Sequence, residues 1–243
     1  MTGINLLRPQ AGLFPPTLQP NLLEPVSSRW GLAFGGVDQY VNCGNDPSLN
    51  ITGALAIQCV VRVNSLAASQ DVLSNGRYKY GGYALRVASS GAVVLLTNVS
   101  GTQSLIITAS GVITTGTVYR VCAYCDGTNG YIYVDGVEKK NAALPFAAET
   151  TFPFIIGGGG SSGTSNNFDG DIFDIRVYRR VLGSSEIFTY NGDYQNYRNF
   201  QALEGWWRFN EGHGTSIRDW SGKGNEGTMD GFSGDPWINE GIR

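Results

Sequence analysis

Residues 168–180 read FDGDIFDIRVYRR, and the fold turns on how this stretch is taken. Phenylalanine, isoleucine, valine and tyrosine fill its apolar positions, which predicts a β-strand. Asp169, Asp171 and Asp174 stand within it at i, i+2 and i+5. Carboxylates this close together can run acid–base catalysis, hold a metal ion, or simply edge a sheet. What surrounds the strand decides among them.

The composition around it favours sheet. The 243 residues include 34 glycines, about twice the ~7% of an average protein, and charged side chains make up 15% against the usual ~25%. Many turns and few charged helical faces predict an all-β chain, long enough for one large domain or two small ones. The net charge is −3 and no lysine/arginine run exceeds two residues, which excludes the basic footprint of a nucleic-acid partner. No apolar stretch approaches the ~20 residues of a membrane-spanning helix. The opening MTGINLLRPQAGLFPP lacks a basic stretch followed by an apolar core, so no secretory signal is expected.

Cys122 and Cys125 form a CxxC, a spacing that elsewhere suggests zinc or redox chemistry. Here they lie in VYRVCAYCDG, an apparent strand, where i and i+3 point to opposite faces. There is no second CxxC, and His213, the one histidine, is far away in sequence. Buried free thiols are expected. Asn50-Ile-Thr52 and Asn98-Val-Ser100 match the glycosylation pattern, which matters only in an exported chain.

Residues 1–28 read as an extended arm. Pro9, Pro15, Pro16, Pro20 and Pro25 break any sustained period. Leu6, Leu7, Leu13, Phe14, Leu22 and Leu23 make the arm too apolar for a solvated linker. Either it lies on its own domain, or these six side chains anchor it to partner proteins in a homo-oligomer or larger assembly.

From Trp30 to Tyr178, strand follows strand. LAIQCVVRV (55–63) alternates, with Leu55, Ile57, Cys59, Val61 and Val63 on one face and Gln58 and Arg62 on the other. YALRV, AVVLL and SLIIT follow, separated by glycine and serine. In YIYVDGVEK, Asp135-Gly136 predicts a two-residue hairpin, because both turn positions need positive φ. A short helix is predicted from Ser184 through Glu186, Ile187 and Phe188. The run Gly157–Gly160 lacks the Gly-Lys-Ser/Thr ending of a phosphate loop and reads as a mobile or tightly packed loop.

Three segments occur in a recognisable order: LAFGGVDQYVNCG (32–44), YIYVDGVE (131–138) and FDGDIFDIRVYRRVLGSSEI (168–187). In them the chain resembles a laminin-G-like domain of the concanavalin A-like lectin/glucanase superfamily, over nearly all of residues 30–190. One departure is Val118-Tyr119-Arg120, where the family often has Trp-His. The resemblance implies a jelly-roll sandwich of two antiparallel sheets, which the number of strands supports independently.

A second match, LEGWWRFNEGHGTSIRDWSGKGNEGTMDG (203–231), resembles a segment that in relatives precedes the opening strand. Here it comes last. The roughly 40 residues that remain are too few for a second jelly roll. Residues 201–243 are therefore expected to complete the same sandwich with a permuted strand, supplied in cis or exchanged between subunits. Trp207 and Phe209 would then face the core together. The expected organisation is an arm, 1–28, and one jelly roll, 29–243.

The glucanase branch works with an E-x-D-x-x-E strand, whose outer carboxylates serve as nucleophile and acid/base at retaining separation. Asp169-Gly-Asp171-Ile-Phe-Asp174 has that spacing. All three are aspartates, however, whose shorter side chains would move both reacting oxygens. The segment also matches the non-catalytic ending of laminin-G-like domains. His213 lies in EGHGT, a turn, with no G-x-S-x-G in the chain. No catalytic residue is assigned, and no enzyme is expected. Related sandwich domains often hold one structural calcium ion where the opening and closing strands meet. The matching positions are Gly36 and Asp38 in one turn and Asp169 and Asp171 in the other. The alternative is that Asp38 and Asp169 cap turns through their own backbones.

Two non-catalytic readings stand ahead of the glucanase. One is a carbohydrate-binding, lectin-like module, with Tyr78, Tyr80 and Tyr83 of RYKYGGY as sugar-stacking rings unless they pack across strands. The other, favoured by the apolar arm, is a phage virion surface protein of the head-decoration or fibre type. It would be anchored through residues 1–28 and carry weak affinity for a cell-surface glycan. Virions assemble in the host cytoplasm and leave by lysis, so such a protein needs no export signal.

Overall fold

Period-two alternation gives most strands of this chain one apolar face, and two antiparallel sheets bury those faces against each other. The computed structural model describes residues 29–76, 82–99, 101–146, 152–159, 163–187 and 199–240. In the first sheet the order is β10 (Val137–Ala143), β9 (Asn129–Val134), β8 (Val118–Cys125) and β3 (Leu55–Val63), then β12 (Asp169–Tyr178), β1 (Arg29–Gly35) and β16 (Trp237–Glu240). A further strand, β13 (Leu203–Trp207), also pairs with β12. The second sheet runs β14 (Ser216–Ile217), β15 (Gly227–Asp230), β2 (Tyr40–Asn42) and β11 (Phe154–Ile156). It continues through β4 (Gln70–Asn75), β5 (Gly82–Val87), β6 (Val93–Val99) and β7 (Thr102–Ile107). The protein is an all-β sandwich.

Leu55, Ile57, Cys59, Val61 and Val63 enter the core between the sheets with Leu85, Leu95 and Phe154. Gln58 faces the other way and is nevertheless buried. The outer side of the first sheet is itself covered: Ala56, Cys122, Tyr178, Leu182, Ile187, Leu203 and Trp206 form a second apolar cluster there. Cys122 thus lies in the outer cluster and Cys125 in the main core, on opposite faces as the i, i+3 spacing predicts. Both are free thiols.

Local turn chemistry reads through directly. Asp135 (φ 49°) and Gly136 (φ 75°) link β9 to β10, with Val134 opposite Val137. Residues 184–187 form a helical turn whose start is capped by the Glu186 carboxylate, which accepts from the Gly183 N–H at 2.9 Å. Phe188 lies outside the described residues. Gly157 is tightly packed, since a Cβ there would lie 2.2 Å from the Phe34 ring; 160–162 fall outside the described residues.

Residues 203–240 contribute to both sheets. β12 pairs with β1 at Asp169–Ile172 and with β13 at Ile175–Tyr178, so β1 and β13 lie end to end along one side of it. β16 extends the sheet beyond β1, pairing Leu32 with Trp237 and Arg29 with Glu240. Trp207 and Phe209 enter the main core, where Trp207 stacks on Phe154 with centroids 5.0 Å apart. Trp206 points to the outer cluster and joins an alternating ladder of guanidinium groups and indoles. Arg176 lies 4.5 Å from the Trp206 ring, Arg208 lies 5.2 Å from both Trp206 and Trp220, and Arg218 lies 4.3 Å from Trp220. Each such contact contributes ~0.5–2 kcal/mol. Among the described residues no helix is long and apolar enough to cross a membrane.

Candidate functional site

Two of the three aspartates of β12, Asp171 and Asp174, are held by structural partners. Pairing with β3 shifts register at Phe173, so that Ile172 opposes Val61 and Asp174 opposes Val60. An unbroken strand would send residues at i and i+3 to opposite faces; the bulge leaves Asp171 and Asp174 on the same outer face. Arg62 donates to Asp171 Oδ2 from Nε at 2.7 Å and from Nη2 at 2.6 Å, while its Nη1 reaches Glu240 at 2.5 Å. Burial pushes the Asp171 carboxyl up, and the Arg62 guanidinium pulls it back. Asp174 Oδ2 accepts from Trp206 Nε1 at 2.9 Å, and its Oδ1 lies 3.0 Å from Arg176 Nε. Buried carboxylates engaged in this way offer no flanking pair to a glycosidic bond.

The turns proposed for calcium do meet. Gly35 is the register partner of Asp169, and Gly36 (φ 76°) donates its N–H to Phe168 O at 3.0 Å. A Cβ on Gly36 would lie 2.9 Å from Asp169 Cβ, so the close approach requires glycine. The four residues do not, however, form an oxygen cage. Asp171 is committed to Arg62, Asp38 is exposed, and among the described residues no three His, Cys, Asp or Glu side chains are grouped to hold a metal. The side chains of these four residues thus supply no carboxylate cage for a calcium ion, and no role is derived for one.

Tyr83 is corrected as well. It is 1% exposed, its ring packs on Phe146 and Phe154, and its hydroxyl donates to Leu49 O at 3.0 Å. It shares the inward face of β5 with Leu85 and Val87, which leaves no ring face for a sugar. Tyr78 and Tyr80 lie outside the described residues, as do Leu6, Leu7, Leu13, Phe14, Leu22 and Leu23 of the arm.

An open polar groove of about 640 Å³ lies where β2 meets β15. Asn42 and Thr228 are register partners on its floor, exposed on the outer face of the second sheet while Val41 and Cys43 point into the core. Asp230 lies one pleat further along, accepting from the Tyr40 hydroxyl at 2.9 Å. One wall is the turn 43–47. Asn42 Oδ1 accepts from the Gly44 N–H at 2.9 Å and Asp46 Oδ1 from the Ser48 N–H at 2.8 Å, a pair of side-chain-to-backbone turns. The backbone N–H of Ser48 holds the Asp46 carboxyl below the usual carboxylate range.

The other wall is 224–226, organised from beneath by Asp219. Its Oδ1 accepts from the backbone N–H groups of Trp206 (2.9 Å) and Ser221 (2.8 Å). Its Oδ2 accepts from the Ser221 hydroxyl (2.7 Å) and the Asn225 N–H (3.0 Å). Asn225 Nδ2 then donates to Ser48 Oγ at 2.9 Å and to Glu204 O at 2.7 Å, tying the two walls together. Asn225 is 1% exposed and lines the groove, and its Oδ1 has no protein partner.

None of the groove residues was singled out from sequence. They fall in YVNCGNDP (40–47) and GNEGTMD (224–230), two turns rich in Asn, Asp and Gly; that composition is the signal that was there to be read. Their meeting depends on β15 docking beside β2.

Fold and motif together define the class. Residues 34–188 match a laminin-G family model described as the concanavalin A-like lectin/glucanases superfamily. The chain belongs to that superfamily. No curated protein matches it. Among solved structures it is similar to a putative carbohydrate binding protein from Bacteroides ovatus, with TM-score 0.65 and 15% identity over 90% of this chain. The match spans 61% of that structure's own length. It is also similar to the CBM40 of the Ruminococcus gnavus IT-sialidase bound to α2,3-sialyllactose, with TM-score 0.58 and 17% identity, covering 69% of this chain and 100% of that one. The heptameric SAP-like pentraxin of Limulus polyphemus gives TM-score 0.56 and 15% identity, covering 87% of this chain and 94% of that one. At these identities the likeness is one of fold.

Proposed function

We propose that the protein is a non-catalytic carbohydrate-binding module whose ligand lies in the groove between 42–47 and 224–230. The observation that carries this reading is the groove's inventory. Amides, a hydroxyl and carboxylates from two braced turns converge on an open depression, as recognition of a hydroxyl-rich ligand requires. Solved neighbours described as carbohydrate-binding support it by analogy of fold. Catalysis is disfavoured because Asp171 and Asp174 of the glucanase-like spacing are engaged by Arg62 and Trp206. Thr228→Tyr should fill the groove from an exposed position without touching the core. Glycan retention by the wild type and its loss in this variant are the expected results on a glycan array. Undiminished binding by the variant, or no glycan bound by either, would sink the assignment.

The virion-surface role is a second proposal, carried by the apolar, proline-punctuated sequence of residues 1–28. Deleting 1–25 should abolish attachment to the particle, and normal incorporation without them would remove it.

A further inference from the structure

Resting on the reading of the groove as a glycan site, we infer that it selects neutral, hydroxyl-rich sugars and disfavours sialylated and uronic-acid sugars. Its lining includes three carboxylates, Asp46, Glu226 and Asp230, and neither lysine nor arginine. Two cations stand on adjoining segments without lining the groove: Lys223 Nζ lies 3.3 Å from Glu204 Oε2, close enough to act on Asp46 through space, and Arg179 Nε lies 3.3 Å from Glu204 Oε1 while its Nη2 donates to Ser48 O at 2.8 Å. The Ser48 N–H donates to Asp46 Oδ1 at 2.8 Å and holds that carboxyl below the usual carboxylate range, and the Tyr40 hydroxyl donates to Asp230 at 2.9 Å.

The hydrogen-bonding balance points the same way. Carboxylate oxygens only accept when ionised, so three carboxylates make the lining rich in acceptors. A ligand rich in hydroxyl donors satisfies such a site. A sugar carboxylate brings further acceptors and a like charge. The lining also holds no aromatic ring, so affinity comes from directional hydrogen bonds rather than stacking. The chain would therefore differ in specificity from the similarly folded CBM40, which is seen with sialyllactose.

Two or three like charges several ångströms away in a solvent-exposed site give roughly a tenfold preference for the neutral sugar. That preference should shrink as salt shortens the screening length from ~10 Å at 0.1 M to ~3 Å at 1 M. The full-length protein is tested on an array of neutral oligosaccharides beside their sialylated and uronic-acid counterparts. The strongest neutral ligand and its sialylated form are then titrated calorimetrically. Support is a preference near tenfold that narrows in 1 M salt and in the Glu226→Gln/Asp230→Asn double variant. Equal or tighter binding of the sialylated form overturns the charge selection while leaving glycan binding in place. So does a preference that survives both salt and the double variant. Failure of every sugar to bind overturns the glycan reading itself, and this inference with it.

Discussion

The indole N–H of Trp206 donates to the Asp174 carboxylate at 2.9 Å, joining the displaced carboxyl-terminal segment to the strand whose aspartates suggest catalysis. Arg176 lies against both partners, 3.0 Å from Asp174 Oδ1 and 4.5 Å from the indole ring. What looks like half of a glycosidase pair is a buried clamp between β12 and β13. Removing one member of a buried charged pair typically costs ~3–5 kcal/mol, so Asp174→Ala should destabilise by about that much in urea unfolding. A catalytic role for Asp174 would instead show as β-glucan hydrolysis by the wild type that the variant lacks, with stability little changed.

Trp207 tests whether residues 201–243 belong to the sandwich. Its ring is enclosed by the main core and its Nε1 donates to Asn225 O at 2.8 Å. Truncating a buried tryptophan costs ~3–5 kcal/mol, against a total stability of about 5–15 kcal/mol. Trp207→Ala should lower the melting temperature severely, and a chain ending at residue 200 should show no cooperative transition. An intact transition in the shortened chain would make the segment an independent appendage.

Calcium should leave the melting temperature unchanged. A ligand stabilises only by binding the folded state, and the one buried carboxylate of the two turns, Asp171, already serves Arg62. A rise at millimolar calcium that disappears in Asp38→Ala and Asp169→Ala would reinstate the site.

All four thiols should resist modification and make the fold sensitive to alkali. Burial pushes Cys122 up to about 12 and moves Cys43, Cys59 and Cys125 in the same direction. At pH 8 a thiol of that pKa is thiolate only about one part in 10⁴, so labelling should proceed no faster than unfolding. Because the folded pKa values lie above the unfolded value of ~8.5, the stability they contribute is complete below that pH and is lost as pH rises above it. Melting curves from pH 7 to 10 should decline accordingly. Rapid labelling of the native protein at pH 8 would contradict the burial of these thiols.

Sequence alone was sufficient wherever the governing physics is local. Alternation in Leu55–Val63 marks a strand because successive side chains point to opposite faces, whatever lies beyond them. Asp135-Gly136 marks a hairpin because positive φ is a property of two residues. The family motifs between 32 and 187 carry the sandwich for the same reason: they are strings of such local requirements in a fixed order. Tertiary structure decided the rest. The bulge at Phe173 put Asp171 and Asp174 on one face, where Arg62 and Trp206 reach them from 109 and 32 residues away. Tyr83 turned inward because the register of β5 faces it toward Phe154. The groove exists because Thr228 docks opposite Asn42. Strand register is selected by how distant apolar faces pack, and no short stretch of this chain contains both halves of that choice.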